Sequence, residues 1–175
     1  MLREFNLLVT TTRGNEADVC SEIWYLLGEI GDKESQVDKT GVSGLIAAKT
    51  SLSPLDAVER LRKILRERAY EFRYSLRIIP IQRVVQTDLD EIKGVVAQLL
   101  KNIGEHESFR VTVEKRFSRL SSKDIIDVAA ENVDRKVDLS NPDKIILIEV
   151  VGGRTGVSVI KPSRIVSVVK EKIDP

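Results

Sequence analysis

Residues 109–133, FRVTVEKRFSRLSSKDIIDVAAENV, hold the pattern on which the fold turns. From Phe109 to Glu114 apolar and polar residues alternate, as in a strand with one buried face. The alternation gives way to a basic loop over residues 116–120. Ser121, with Asp124 three positions on, then has the form of a capping box in which Asp replaces Glu. Ile125, Ala129 and Val133 follow at four-residue spacing, the buried face of a helix. A strand, a basic loop and a capped helix in succession are the start of an α/β module.

On the C-terminal side, residues 135–139 read as a short strand and Ser140-Asn141-Pro142-Asp143 as a turn. Residues 145–151, IILIEVV, are continuously apolar apart from Glu149 and predict a central strand covered on both faces. Gly152-Gly153 turns it toward residues 156–160, its antiparallel hairpin partner. The stretch GGRTG at 152–156 could cradle a phosphate, but a hairpin turn accounts for it without chemistry. IVSVV at 165–169 reads as a final strand or as the apolar start of a helix. On the N-terminal side, Thr87-Asp88 caps a helix carrying Leu89, Ile92, Val96, Leu99 and Ile103, which Gly104 ends.

The first half reads as β-α-β-β-α-β, the ferredoxin-like plan. Residues 5–11 form a buried strand. The helix after it starts at Asn15 as N-cap, buries Val19, Ile23, Leu26, Leu27 and Ile30, and stops at Gly31. Residues 36–39 and 43–49 make a hairpin. Ser53-Pro54 opens a second helix with the stripe Leu55, Val58, Leu61 and Leu65, leaving Arg60, Lys63 and Arg66 off it. Residues 72–85 are strand-like, with Pro80 as an edge, bend or exit. The chain therefore divides into a ferredoxin-like module at 1–84 and a second module at 85–175.

The net charge of +1 conceals alternating blocks. Residues 60–83 carry Arg60, Arg62, Lys63, Arg66, Arg68, Arg73, Arg77 and Arg83 against only Glu67 and Glu71. Residues 110–123 carry Arg110, Lys115, Arg116, Arg119 and Lys123 against Glu114 alone. Polyanion binding depends on such local clusters, because each neutralised phosphate releases counterions locally. Ordinary solvated helix faces would produce the same blocks. Aromatics make up 5% of the chain, which argues against exposed stacking platforms as the main grip on bases.

Several classes of chemistry lack their residues. Cys20 is the single cysteine, within the first helix, and has no evident base or cationic partner in sequence. His106 is the single histidine and lies in an acidic loop. There is no Walker lysine after a Gly-rich loop, no G-x-G-x-x-G opening a helix, and no deaminase zinc motif. No apolar run reaches the roughly 18 residues a membrane span needs, and Glu4 and Asn6 interrupt any signal peptide. The expectation is a cytoplasmic protein with no catalytic residues, no metal and no cofactor.

Three stretches resemble the THUMP family, named for thiouridine synthases, methyltransferases and pseudouridine synthases. VTTTRGNEADVCSEIWYLLGEIG (9–31) resembles the strand-turn-helix opening the ferredoxin-like domain that precedes many THUMP domains. LRIIPIQRVVQTDLDEIKGVV (76–96) resembles the junction into the THUMP domain of adaptors for tRNA cytidine acetylation. Residues 109–133, followed by VDLSNPDKIILIEVVGGRTGVSVI (137–160), resemble the THUMP core. The resemblance implies recognition of tRNA, usually through its acceptor end. It also implies RNA contacts from Arg110, Lys115, Arg116, Arg119 and Lys123, which match the basic strand end and loop, and from Arg77 and Arg83, which match the junction. Many THUMP proteins continue into a catalytic domain, whereas this sequence ends at Pro175. The expectation is thus a non-catalytic adaptor that presents tRNA to a separate enzyme, an RNA cytidine acetyltransferase forming N4-acetylcytidine. A tRNA-binding subunit for a thiolase or methyltransferase, a carboxylate enzyme using Asp88, Asp90 or Asp138, and a ferredoxin-like regulatory or dimerisation module are the alternatives.

Overall fold

The computed structural model of the chain, described over residues 1–173, contains two separate five-stranded sheets. In chain order the first elements are β1 (Leu7–Thr10), α1 (Glu16–Glu29), β2 (Gln36–Lys39), β3 (Leu45–Lys49), α2 (Pro54–Glu67) and β4 (Arg77–Pro80). Next come β5 (Arg83–Gln86), α3 (Leu89–Leu99), β6 (Ser108–Arg116), α4 (Ser122–Ala130), β7 (Lys136–Val137), β8 (Lys144–Val151) and β9 (Arg154–Ile160). β10 (Val166–Ser167) and α5 (Val168–Ile173) complete the described chain. The elements divide between two units, Met1–Ile81 with the segment from Ser163, and Gln82–Pro162.

The first unit is ferredoxin-like. Its antiparallel order β4-β1-β3-β2 follows from the βαββαβ succession, and β10 adds a fifth strand beside β4. Leu7, Val9, Ile46, Ala48 and Ile78 of the sheet join Val19, Ile23, Leu26 and Leu27 of α1 and Val58, Leu61 and Leu65 of α2 in one core. The two helices start differently. Ser53 Oγ accepts a hydrogen bond from Asp56 N, with Pro54 in the first turn, as the sequence predicts. Asn15 makes no side-chain cap bond; the Glu16 carboxylate instead accepts from Gly14 N and Gly44 N, holding the turns before α1 and before β3.

The second unit has strand order β5-β9-β8-β6-β7. β8 lies at its centre, antiparallel to β9 and parallel to β6, and Ile145–Val151 is buried throughout. Successive strand residues point to opposite faces. Ile146, Ile148 and Val150 of β8 and Val157 and Val159 of β9 therefore share a core with Ile92, Val96 and Leu99 of α3 and Ile125 and Ala129 of α4. Both helices cover one face, and Lys93 reaches Glu131 at 2.8 Å between them.

Several boundaries differ from expectation. Residues 72–85 do not form one strand: a 3-10 turn at Ala69–Glu71 precedes β4, and the pairing partner changes after Ile81. Ile81 N donates to Asn6 O, whereas Gln82 N donates to Val157 O and Gln82 Oε1 accepts from Val159 N. The unit boundary is therefore 81/82 rather than 84/85, set by which sheet each amide joins. The segment from Ser163 belongs to the first unit, not the second. Arg62, 8% exposed, holds it through Ser163 O (2.6 Å) and Glu171 (2.6 Å), and the IVSVV stretch is both things expected of it, a strand and then a helix. Finally, α3 ends at Leu99 and tightens to a 3-10 turn at Leu100–Asn102, and Val133 lies past the end of α4, half-buried against the core.

Candidate nucleic-acid interface

β6 and β8 are parallel and in register to their last residues, Arg116 opposite Val151. The hairpin sets Val151 opposite Arg154, and β5 sets Gln86 opposite Arg154. Gln86, Arg154, Val151 and Arg116 therefore form one row across the sheet, on the face away from α3 and α4. Strands lie about 4.8 Å apart, so the backbones of Arg116 and Arg154 are roughly 10 Å apart. The β6–α4 loop, the β8–β9 turn and the start of α4 gather at this end, where the parallel strands finish. Ligand sites in α/β sheets characteristically form outside such strand ends.

The cations here are not equivalent. Arg116 Nη1 pairs with Glu149 Oε2 at 2.7 Å, and Glu149 is fully buried. Arg116 is thus partly a structural cation, and what it offers a ligand is its remaining edge. Lys115 Nζ donates to Leu120 O (2.9 Å), closing the loop. Lys123, in the first turn of α4, pairs with Asp127 at 2.7 Å, and that hydrogen bond raises its pKa above the ordinary lysine value. Arg119 is exposed, Arg154 is half-buried, and neither has a side-chain partner among the described residues. Ser121 Oγ accepts from Asp124 N (3.0 Å) and fixes the N-terminus of α4, as its capping pattern predicts.

Phe117 stands between these cations. It is 78% exposed and has φ +54°, the one positive φ outside glycine among the described residues. A bulky residue in the left-handed region costs of order 1–3 kcal/mol, and a phenyl left in water forgoes about 1.5–3 kcal/mol of burial. The conformation persists because the loop is held on both sides. Arg116 O accepts from Gly152 N (2.9 Å), Leu120 N donates to Ser118 Oγ (3.2 Å), and Lys115 bridges the loop.

The other sequence-predicted residues lie elsewhere. Arg110 sits near the opposite end of β6, six residues from Arg116 and so about 20 Å away. Its guanidinium donates to Leu139 O (2.8 Å), bracing the turn after β7. Arg83 is exposed on the edge strand β5, three strands from β6 at the level of Val113, with Nη1 on Gln82 O. Arg77 is exposed on β4, in the first unit. The structure thus brings together Lys115, Arg116, Arg119 and Lys123, and adds Phe117 and Arg154, which sequence reasoning missed. The Arg-Phe-Ser-Arg run was the available signal for Phe117; an average over few aromatics hid it. Arg154 was absorbed into the glycine turn.

Cys20 is half-buried against the first core, and burial pushes its thiol pKa up, which holds it protonated. His106 lies exposed in a turn before β6. No helix among the described residues is long and apolar enough to cross a membrane.

Residues 86–160 match the family model of the THUMP domain. Over 101 residues the chain is 32% identical to the uncharacterized protein MJ0421 of Methanocaldococcus jannaschii, covering 55% of this chain and 28% of that protein. Among solved structures it is similar to PH1313 from Pyrococcus horikoshii, with TM-score 0.65 and 21% identity over 90% of this chain and 55% of that one. It is also similar to TrmN from Thermus thermophilus, with TM-score 0.55 and 17% identity over 87% and 44% of the two chains. A 4-thiouridine synthetase solved in complex with RNA and bound ATP gives TM-score 0.56 and 18% identity over 90% and 42%. The chain spans about a quarter of the curated relative and about half of each solved chain. At these identities the structural likeness establishes the fold.

Proposed function

We propose that this protein, whose residues 86–160 match the THUMP domain model, binds folded tRNA and presents it to a separate modification enzyme. The observation that carries the reading is that Lys115, Arg116, Arg119, Lys123 and Arg154 all lie at one end of the second sheet, on the end of β6, its loop, the first turn of α4 and the start of β9. Long guanidinium and ammonium arms at a strand end can meet successive phosphates, and phosphate contacts set the register and orientation of a bound nucleic acid. Binding of this kind recognises the shape of folded RNA more than its sequence. The protein contributes to catalysis by raising the local concentration of tRNA at the enzyme and fixing its orientation.

The enzyme we assign is an RNA cytidine acetyltransferase, and the modification N4-acetylcytidine. Support comes from the junction at residues 76–96, which resembles that of the acetylation adaptors. In this reading the protein is not itself an enzyme. The rival is a tRNA-binding role beside a thiolase or methyltransferase.

The test has two stages. Affinity of the purified protein for folded tRNA is measured across salt; the log-log slope should correspond to about four phosphate contacts, and a flat dependence would remove the electrostatic reading. Modified nucleosides in tRNA are then mapped after gene deletion. Loss of acetylcytidine, restored by the wild-type gene but not by Arg119→Ala combined with Arg154→Ala, supports the assignment. Loss of a different modification would keep the RNA reading and replace the partner.

A further inference from the structure

We propose that Phe117 is a stacking platform for an unpaired nucleobase, with Arg119 and Arg154 taking the phosphates beside it. The proposal rests on the RNA-binding reading and specifies how part of the RNA is held. Three observations carry it together. The ring is mostly in solvent although the chain has a full core to receive it, and its backbone is held in the left-handed region by hydrogen bonds on both sides of the loop. Its neighbours in the chain are cations: Lys115 and Arg116 precede it, Arg119 follows two residues on, and Arg154 opens β9 just past the adjoining turn, in the same row as Arg116. Arg116 is anchored to the buried Glu149 at 2.7 Å, so the residue before the ring cannot drift.

An aromatic face in a cationic setting is how proteins hold single-stranded nucleic acid. Stacking works on every base, and the cations follow the backbone. A paired base offers its face to its neighbours in the helix, so the platform selects a nucleotide that is already unstacked. The expected partner is therefore a structured RNA with a single-stranded segment next to its duplex, and the contact should be tolerant of base identity. A rigid platform is ordered before binding, which reduces the entropy lost when the base docks.

The experiment compares two RNA hairpins sharing one stem, one blunt and one carrying a short single-stranded tail with 2-aminopurine. Wild type should prefer the tailed hairpin and quench the fluorophore. Phe117→Ala should weaken tailed binding by roughly ten- to a hundred-fold, abolish the quench, and leave the salt slope unchanged. Phe117→Trp should retain both affinity and quench, whereas Phe117→Leu, equally apolar, should not. Phe117→Gly should raise the melting temperature by relieving the backbone while binding falls, which separates a recognition role from a structural one. Equal affinity of wild type and Phe117→Ala for the tailed hairpin, in a protein whose RNA binding is salt-dependent, overturns the platform and leaves the RNA reading standing. Salt-insensitive or absent binding of both hairpins and of tRNA by wild type overturns both.

Discussion

Arg62 on α2 and Arg119 in the β6–α4 loop belong to the two basic blocks of the chain and stand at opposite extremes of use. Arg62 is 8% exposed; its guanidinium reaches Glu59, Glu171 and Ser163 O, tying the C-terminal segment to the first unit. Around it Arg60 pairs with Asp56 at 3.1 Å, and Arg68 lies near Glu29 and Glu71. Arg119 is exposed and has no side-chain partner, and Arg154 beside its loop is likewise unpaired. Basic blocks of similar density therefore do different things. On α2 much of the charge is consumed by internal pairing, while the loop keeps part of its charge for a ligand. Arg116 straddles the two uses, a loop cation in sequence and a core cation in space.

The sharpest way to break this distinction is Arg116→Ala. Removing the guanidinium from the fully buried Glu149 should destabilise the second unit by about 3–5 kcal/mol, seen as a fall in the denaturant midpoint. A stability within about 0.5 kcal/mol of wild type would place Arg116 with the free cations. Replacing Arg116 with Met and Glu149 with Leu together should recover most of the loss, since the buried charge leaves with its partner.

Arg62→Ala should have a smaller effect, about 2 kcal/mol, because Glu59 and Glu171 keep partial contact with water. Its signature is local. Hydrogen exchange of residues 163–173 should accelerate, and tRNA affinity should not change; unchanged exchange there would show that β10 is held without the arginine.

A buried anion extends the comparison. Asp32, 2% exposed, is pushed up by burial, but hydrogen bonds from Thr50 Oγ1, from Ser51 N and Oγ, and from Glu34 N outweigh that and leave its pKa below the usual aspartate value. A depressed folded pKa contributes stability that is full above the unfolded value of about 3.9 and disappears as pH falls through the folded value. Asp32→Asn should therefore cost about 1–2 kcal/mol at pH 7, and the gap from wild type should close as pH falls through the depressed folded value. A gap that persists unchanged in acid would assign the effect to packing rather than charge.

The smallest effect on stability is expected for Arg119→Ala, which acts on binding instead. Stability should move by no more than about 0.5 kcal/mol, while tRNA affinity falls several-fold and the salt slope drops by about one. Lys63→Ala and Arg66→Ala on the exposed side of α2 are the matching controls, with no expected change in the slope.

Much of this architecture was legible in the sequence because it is written in local patterns. The stripe of α2, the Ser53 and Ser121 caps, the covered β8 strand and the Gly152-Gly153 hairpin each depend on residues a few positions apart, and side-chain periodicity decides them. The ferredoxin-like order and the basic loop before α4 follow from the same patterns. What lay outside that reach was every property set by residues distant in the chain. Residue 109 onward announced a basic loop, but only the pairing of β6 with β8 put Glu149 against Arg116, 33 positions away, and Arg154 in the row beside it. The change of sheet between Ile81 and Gln82, and the pairing of β10 with β4, are likewise decided by long-range backbone hydrogen bonds. Sequence alone determined where the charges and the aromatic ring are; tertiary structure decided which charges are already neutralised and that Phe117 faces water. Local spacing fixes which face of an element a residue occupies, whereas solvation and pairing depend on what the fold brings against that face.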